Sequence, residues 1–182
     1  MSMSVNRAVF LDRDGVINRA IVKAGKPYPP ASVSELEALP GVREALVRLR
    51  QAGWRLIVVT NQPDVARGTQ TRKAVELIHR RLLELGLPLD EFLVCYHDSA
   101  DACACRKPRP GLLLAAAHEH RLHLAACYLV GDRWRDVEAG QRAGCRSIFI
   151  DHGYNERRPE QPFISVGSLA EAAERILSGS PL

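Results

Sequence analysis

This sequence predicts an α/β fold, a mainly parallel sheet with helices on both faces, and three observations carry the prediction. Short apolar runs rich in β-branched residues alternate with stretches whose apolar residues recur at helical spacing. The first of these runs, Val9-Phe10-Leu11, stops abruptly at Asp12-Arg13-Asp14-Gly15. Later runs stop in the same manner, at Thr60-Asn61-Gln62 and at Gly131-Asp132. Open α/β sheets seat their ligands just beyond the carboxyl ends of their strands, so polar groups distant in sequence can converge there on one crevice.

The opening run is short and bounded by glycine, as expected for a strand buried on both faces. The stretch after it, residues 16–39, is poorly periodic and carries Gly25, Pro27, Pro29 and Pro30, so it reads as a loop flanking the site or as a mobile surface connection. Val42, Ala45, Leu46 and Leu49 recur at helical spacing between Gly41 and Ala52, and Gly53 stops that helix. Residues 55–60 form the second strand. Thr71 caps a helix to Leu85 that buries Val75, Ile78, Leu82 and Leu85 and stops at Gly86. Residues 92–95 are a third strand, 96–110 a loop and 111–121 a helix. Residues 127–130 are a fourth strand, 135–143 a helix closed by Gly144, 147–150 a fifth strand and 169–177 the last helix.

A chain of 182 residues is expected to form one domain over 1–182. Its formal charge of +4 is spread over interspersed acids and bases, without the basic runs or aromatic platforms of a nucleic-acid binder, and suits a small anionic substrate. Residues 1–7 hold no apolar leader core, and no segment is apolar enough to span a bilayer, so a cytoplasmic monomer is expected. Cys127 and Cys145 stand apart and read as packing residues in a reducing compartment.

Paired carboxylates at a strand end repel each other and cost desolvation unless a cation or a phosphoryl reaction uses them. Metal-assisted phosphoryl transfer needs a nucleophile, an acid/base, Mg²⁺ and donors for the transferred group. Asp12 is the candidate nucleophile and Asp14 the acid/base, with Thr60 and Lys107 holding phosphoryl oxygens. Asp12, the Asp14 carbonyl and Asp132 are candidate Mg²⁺ ligands. Asp136, in the first turn of its helix, would orient a metal-bound water or Lys107, or complement the helix dipole.

A second constellation is Cys95-x-His97-x5-Cys103-x-Cys105, three thiolates and one imidazole that match a closed tetrahedral Zn²⁺ site. Zinc there would be structural, stiffening a loop over about 95–109 and positioning Lys107. The other histidines, His79, His118, His120, His123 and His152, lack partners at ligand spacing and read as solvated. Trp54 reads as packing, and Trp134 either packs or edges the crevice.

Taken in order, Asp12-x-Asp14-Gly15, Thr60-Asn61, Lys107-Pro108 and Gly131-Asp132-x3-Asp136 resemble the four motifs of the haloacid dehalogenase superfamily of phosphohydrolases, over residues 9–150. The resemblance implies a three-layer Rossmann-like fold and an aspartyl-phosphate mechanism in which Mg²⁺ is bound by Asp12, Asp14 and Asp132. No large insertion follows Asp14 or Lys107, so there is no room for a folded cap domain. Cys-x-Cys-Arg-Lys-Pro narrows the resemblance to a zinc-containing subgroup of D,D-heptose 1,7-bisphosphate phosphatases and histidinol-phosphate phosphatases.

Asp12-Arg13-Asp14-Gly15-Val16-Ile17-Asn18 and Thr60-Asn61-Gln62 followed by Ala66-Arg67-Gly68 are similar to the heptose enzymes, while the short zinc loop is closer to the histidinol-phosphate ones. Tyr96, Pro63-Asp64-Val65 and residues 25–30 depart from both patterns. By this resemblance the substrate is a small phosphorylated sugar, foremost a heptose bisphosphate whose 7-phosphate is removed. Arg13, Asn18, Asn61, Gln62, Arg106 and Arg133 are then expected beside it, since arginine grips phosphate bidentately. A histidinol-phosphate phosphatase is the first rival, and a catalytically silent zinc-containing binding module the rival from another class.

Overall fold

The structure is a computed structural model that describes residues 6–179, so the reading of the first five residues as leaderless lies outside the described residues. The strands are β1 (Ala8–Leu11), β2 (Ile21–Lys23), β3 (Lys26–Tyr28), β4 (Arg55–Asn61), β5 (Glu91–Cys95), β6 (Tyr128–Gly131), β7 (Arg146–Ile150) and β8 (Ile164–Val166). The helices are α1 (Val42–Gln51), α2 (Arg72–Glu84), α3 (Gly111–His120), α4 (Trp134–Ala143) and α5 (Leu169–Ser178).

Six strands form one parallel sheet in the order β5-β4-β1-β6-β7-β8. The chain builds outward from β1 to β5, then returns to β1's other side and builds outward to β8. The order therefore reverses between β1 and β6, and a crevice opens beyond the ends of those two strands.

Every residue of β1 is buried, and the strand's alternation divides them between two cores. Val9 and Leu11 pack with α1 and α5, whereas Ala8 and Phe10 pack with α3 and α4. Phe10 and Leu11 are fully buried, which removes enough apolar surface to contribute about 2 kcal/mol each. Helix ends follow the local chemistry. The Thr71 hydroxyl accepts from Ala74 N at 3.1 Å, Ser168 accepts from Glu171 N at 3.2 Å, and Gly144 closes α4 at a φ of +81°.

Two elements depart from the sequence reading. The stretch 16–39 contains an antiparallel ribbon, β2 against β3, turned through Ala24 and Gly25 at φ of +51° and +74°. Two successive left-handed residues give the backbone twist that a two-residue hairpin needs, but three-residue strands with a proline in one of them are too short to show a period. Strand β8 was also unexpected. It is a three-residue edge beside β7 that follows a proline-containing loop. The remaining expected elements lie within about one residue of their observed bounds. No helix of the described residues is long and apolar enough to cross a membrane.

Candidate active site

Asp12 follows β1 directly, and its backbone N–H donates to Val130 O of β6 at 2.9 Å, fixing the carboxylate between the two central strands. Its Oδ1 lies 2.9 Å from Lys107 Nζ and accepts from Arg13 N at 2.9 Å. Lys107 is 2% exposed, and all three ammonium protons have acceptors: Asp12, Asp136 Oδ1 at 2.6 Å and Val59 O at 2.7 Å. Asn61 anchors the lysine's backbone through two hydrogen bonds of 3.0 and 3.1 Å. Asp136 uses its other oxygen to accept from Arg133 N at 3.0 Å, closing the start of α4.

Asp132 follows β6 and is 1% exposed, and among the described residues the only donor that reaches its carboxylate is the Tyr154 hydroxyl, in a contact short of regular hydrogen-bond geometry. Burial first, then the Asp12 and Asp136 charges, push its pKa well above the usual carboxylate range. Asp12 is raised to about 6, by burial most of all, with Lys107 opposing. Ligand oxygens of Asp12, Asp132 and Asp136 lie within 4.8 Å of one another, an arrangement whose repulsion a divalent cation would relieve. Two glycines permit this density. A Cβ on Gly15 would come within 1.9 Å of Asp132 Oδ2, and one on Gly131 within 2.1 Å of Asp136 Cβ.

The Asp14 carboxylate is not in that group. It turns into a cage of donors: Oδ1 accepts from Arg13 Nε at 3.1 Å and Asn18 Nδ2 at 3.0 Å, and Oδ2 from Arg13 Nη2 at 3.0 Å and Gln62 Nε2 at 2.9 Å. Burial presses its pKa upward, but the Arg13 charge and these bonds outweigh it and hold Asp14 below the ordinary value. The expectation that Arg13, Asn18 and Gln62 stand beside substrate is therefore corrected. All three are fully buried, because an internal carboxylate needs them as donors.

A crevice of about 200 Å³ lies over Asp12, Asp14, Thr60, Asn61, Lys107 and Asp136. Arg106 and Arg133 line it, with Arg106 Nη1 donating to His97 O at 3.3 Å and Arg133 paired to Glu156. Lys26, Tyr28, Arg67 and Arg135 also line it and were not anticipated as site residues. Of these only Arg67 had a signal, in Ala66-Arg67-Gly68; the others depend on the hairpin and on the pitch of α4. Trp134 lies outside the crevice, stacked against Arg135 and Arg157.

Beside the crevice, Cys95 at the end of β5 meets His97, Cys103 and Cys105, whose donor atoms all lie within 4.8 Å. Sulfur separations of 3.3 to 3.7 Å come near the roughly 3.8 Å edge of a tetrahedron built on zinc–sulfur bonds, so the four residues could hold a metal. The loop's other ties are polar. Asp98 and Asp101 cap one turn reciprocally, Arg67 forks onto Asp98, and Arg109 reaches Cys103 O at 2.6 Å.

Three histidines depart from the solvated reading. His79 is buried against Arg13, His120 pairs with Glu91 at 2.7 Å, and His152 Nε2 donates to Gly15 O at 2.7 Å. Helical spacing gave the inward face of α2 through Val75, Ile78 and Leu82 but did not set His79 on it, and it showed none of these long-range partners.

Comparison with known proteins agrees with this geometry. The HAD-hydrolase-like family model matches residues 104–172. A D-glycero-beta-D-manno-heptose-1,7-bisphosphate 7-phosphatase of Bordetella bronchiseptica is 37% identical, over 94% of this chain and 98% of its own length. The chain belongs to the D,D-heptose 1,7-bisphosphate phosphatase family of the HAD superfamily. A Helicobacter pylori member is 38% identical over 81% of this chain and 85% of its own. The crystal structure of the B. bronchiseptica D,D-heptose 1,7-bisphosphate phosphatase complexed with magnesium and phosphate superposes with a TM-score of 0.83 at 33% identity, over 96% of this chain and 99% of that one. Members of this family are phosphoric monoester hydrolases, so the chain is an enzyme of that class.

Proposed function

We propose that this protein, acting as one capless domain, removes the 7-phosphate of D-glycero-D-manno-heptose 1,7-bisphosphate by way of a phosphorylated Asp12. The observation that carries the reading is the Asp12 carboxylate, facing the crevice with Lys107 at 2.9 Å and the buried Asp132 carboxylate within 4.8 Å. Asp12 and Asp132, with the Asp14 backbone carbonyl, would hold Mg²⁺, which supplies charge neutralisation for the phosphoryl oxygens. Cys95, His97, Cys103 and Cys105 would hold Zn²⁺ as a closed structural site.

Asp12 attacks phosphorus, and the bond from phosphorus to the sugar oxygen breaks as that oxygen takes a proton from Asp14. Asp14 is held ionised in the free site and so must gain that proton as the phosphate group binds. A water then attacks phosphorus, giving its proton to Asp14 and releasing Asp12 and phosphate. Lys107 and the Thr60 hydroxyl hold the transferred group. Asp136 keeps Lys107 in place, since its oxygens are engaged by Lys107 and Arg133 N. The cationic rim, with Arg106 and Arg133 on it, suits a substrate bearing a second phosphate.

The test is phosphate release with Mg²⁺ from both anomers of the heptose bisphosphate, fructose 1,6-bisphosphate and histidinol phosphate. A heptose bisphosphate is expected to be preferred, and Asp12→Asn to lower its turnover by at least about 10³-fold, as when other covalent nucleophiles are removed. Preference for histidinol phosphate would overturn the substrate, and an active Asp12→Asn the nucleophile.

A further inference from the structure

We infer that His79 is a positioning residue for the Asp14 carboxyl, acting through the Arg13 guanidinium. This rests on Asp14 being the group that gives and takes the proton. Arg13 spends Nε and Nη2 on the two Asp14 oxygens, and its remaining terminal nitrogen, Nη1, meets His79 Nε2 at 3.1 Å. A guanidinium offers only donors, so the ring nitrogen accepts, and the imidazole is neutral with its proton on Nδ1. Burial, and after it the Arg13 charge, hold His79 down at about 3, which keeps the ring an acceptor throughout the working pH range.

The imidazole is itself fixed. It stacks on Phe92 of β5 with centroids 4.4 Å apart and planes 17° apart. Phe92, His79, Arg13 and Asp14 thus form a file running from the sheet to the crevice, and each side chain is set by the one behind it. A buried N–H left without a partner is costly, so Arg13 is confined to the plane in which Nε, Nη1 and Nη2 each keep a partner. That plane determines where the Asp14 oxygens lie. His79 does not line the crevice and has no route to the reacting atoms except through Arg13.

The experiment compares two esters on the full-length, Mg²⁺-loaded enzyme by single-turnover release of the alcohol. That release reads the first step alone, because the water step that also uses Asp14 is common to both esters. One is the best sugar phosphate, whose alkoxide leaving group needs a proton; the other is p-nitrophenyl phosphate, whose leaving group does not. His79→Leu is expected to lower the single-turnover rate of alcohol release from the sugar phosphate by roughly tenfold or more, less than outright loss of a general acid, with the concentration for half-saturation little changed and release of p-nitrophenol largely spared. His79→Gln, whose amide oxygen can accept from Arg13, should restore most of the loss.

Equal losses on both esters, or a Gln variant as impaired as the Leu variant, would overturn the inference. Asp14→Asn, run in parallel, must itself separate the two esters. If it does not, the role given to Asp14 falls and the inference falls with it, whereas separation by Asp14→Asn alone removes only the role of His79. Should His79→Leu fail to fold, His79→Phe keeps the stack on Phe92 without the acceptor and is read in the same way.

Discussion

The carboxylate centre and the Cys/His cluster both stand at the carboxyl end of the sheet, yet the chain holds them in opposite ways. Asp12, Asp132 and Asp136 are at most 8% exposed and hang from strand ends and a helix start, so the backbone determines their places whether or not a cation is present. His97 is exposed and Cys103 and Cys105 are half-buried, on a loop tied by turns and surface ion pairs worth little individually. The first region is preorganised and carries the electrostatic cost of being so. The second has little besides its four clustered donors to order it, as expected of a site that folds around a metal.

The sharpest way to break that contrast is Lys107→Met. It would leave buried, mutually repelling carboxylates without their cation, so the metal-free protein should lose roughly 3–5 kcal/mol in urea denaturation as well as its activity. A loss under 1 kcal/mol would mean the centre relaxes and is not preorganised.

Metal chelation probes the other side. Removing a Cys/His-bound metal should expose the loop over 96–110 to protease and lower phosphate release, because Arg106 and Lys107 follow Cys105 directly. The core should still melt cooperatively, only a few degrees lower, on the order of 1–2 kcal/mol. Collapse of the whole fold in that experiment would show that the two regions form one cooperative unit.

The smallest effect is in pH. Asp12, raised to about 6, and Asp132, raised well above the ordinary carboxylate range by burial, bind protons more tightly folded than unfolded. Their contribution is fully present below the unfolded value near 4 and is lost as pH rises through the folded values. Metal-free protein should therefore lose a few degrees of melting temperature as pH rises from about 4 through 6 and beyond, and the gain on adding Mg²⁺ should widen over the same range. A Mg²⁺ gain independent of pH would separate the cation from these carboxylates.

Much of this was legible in the sequence, and particular residues show where legibility stopped. Asp12, Asp14, Thr60, Asn61 and Asp132 could be read as convergent because a strand's length and its polar terminus are local features. The Cys/His cluster was legible for the same reason, since its four members fall within eleven residues. Arg13 shows the limit. An arginine between two site aspartates looks like a substrate ligand, but it is fully buried and serves Asp14. Nothing near position 13 announces that, because its other partner is 66 residues away.

By itself, then, the sequence determined the sheet, the class of chemistry and the side chains able to perform it, all of which follow from periodicity and from residue types within short windows. The tertiary structure alone decided which polar groups face the crevice and which stand behind them. Gln62 and His79 lie 48 and 66 residues from the partners they serve, and Lys26 and Tyr28 reach the crevice by a ribbon too short to leave a period. The physical reason is that a buried donor or charge must be satisfied by whatever the fold brings beside it, and that neighbour is chosen by packing across the sheet, not by spacing along the chain.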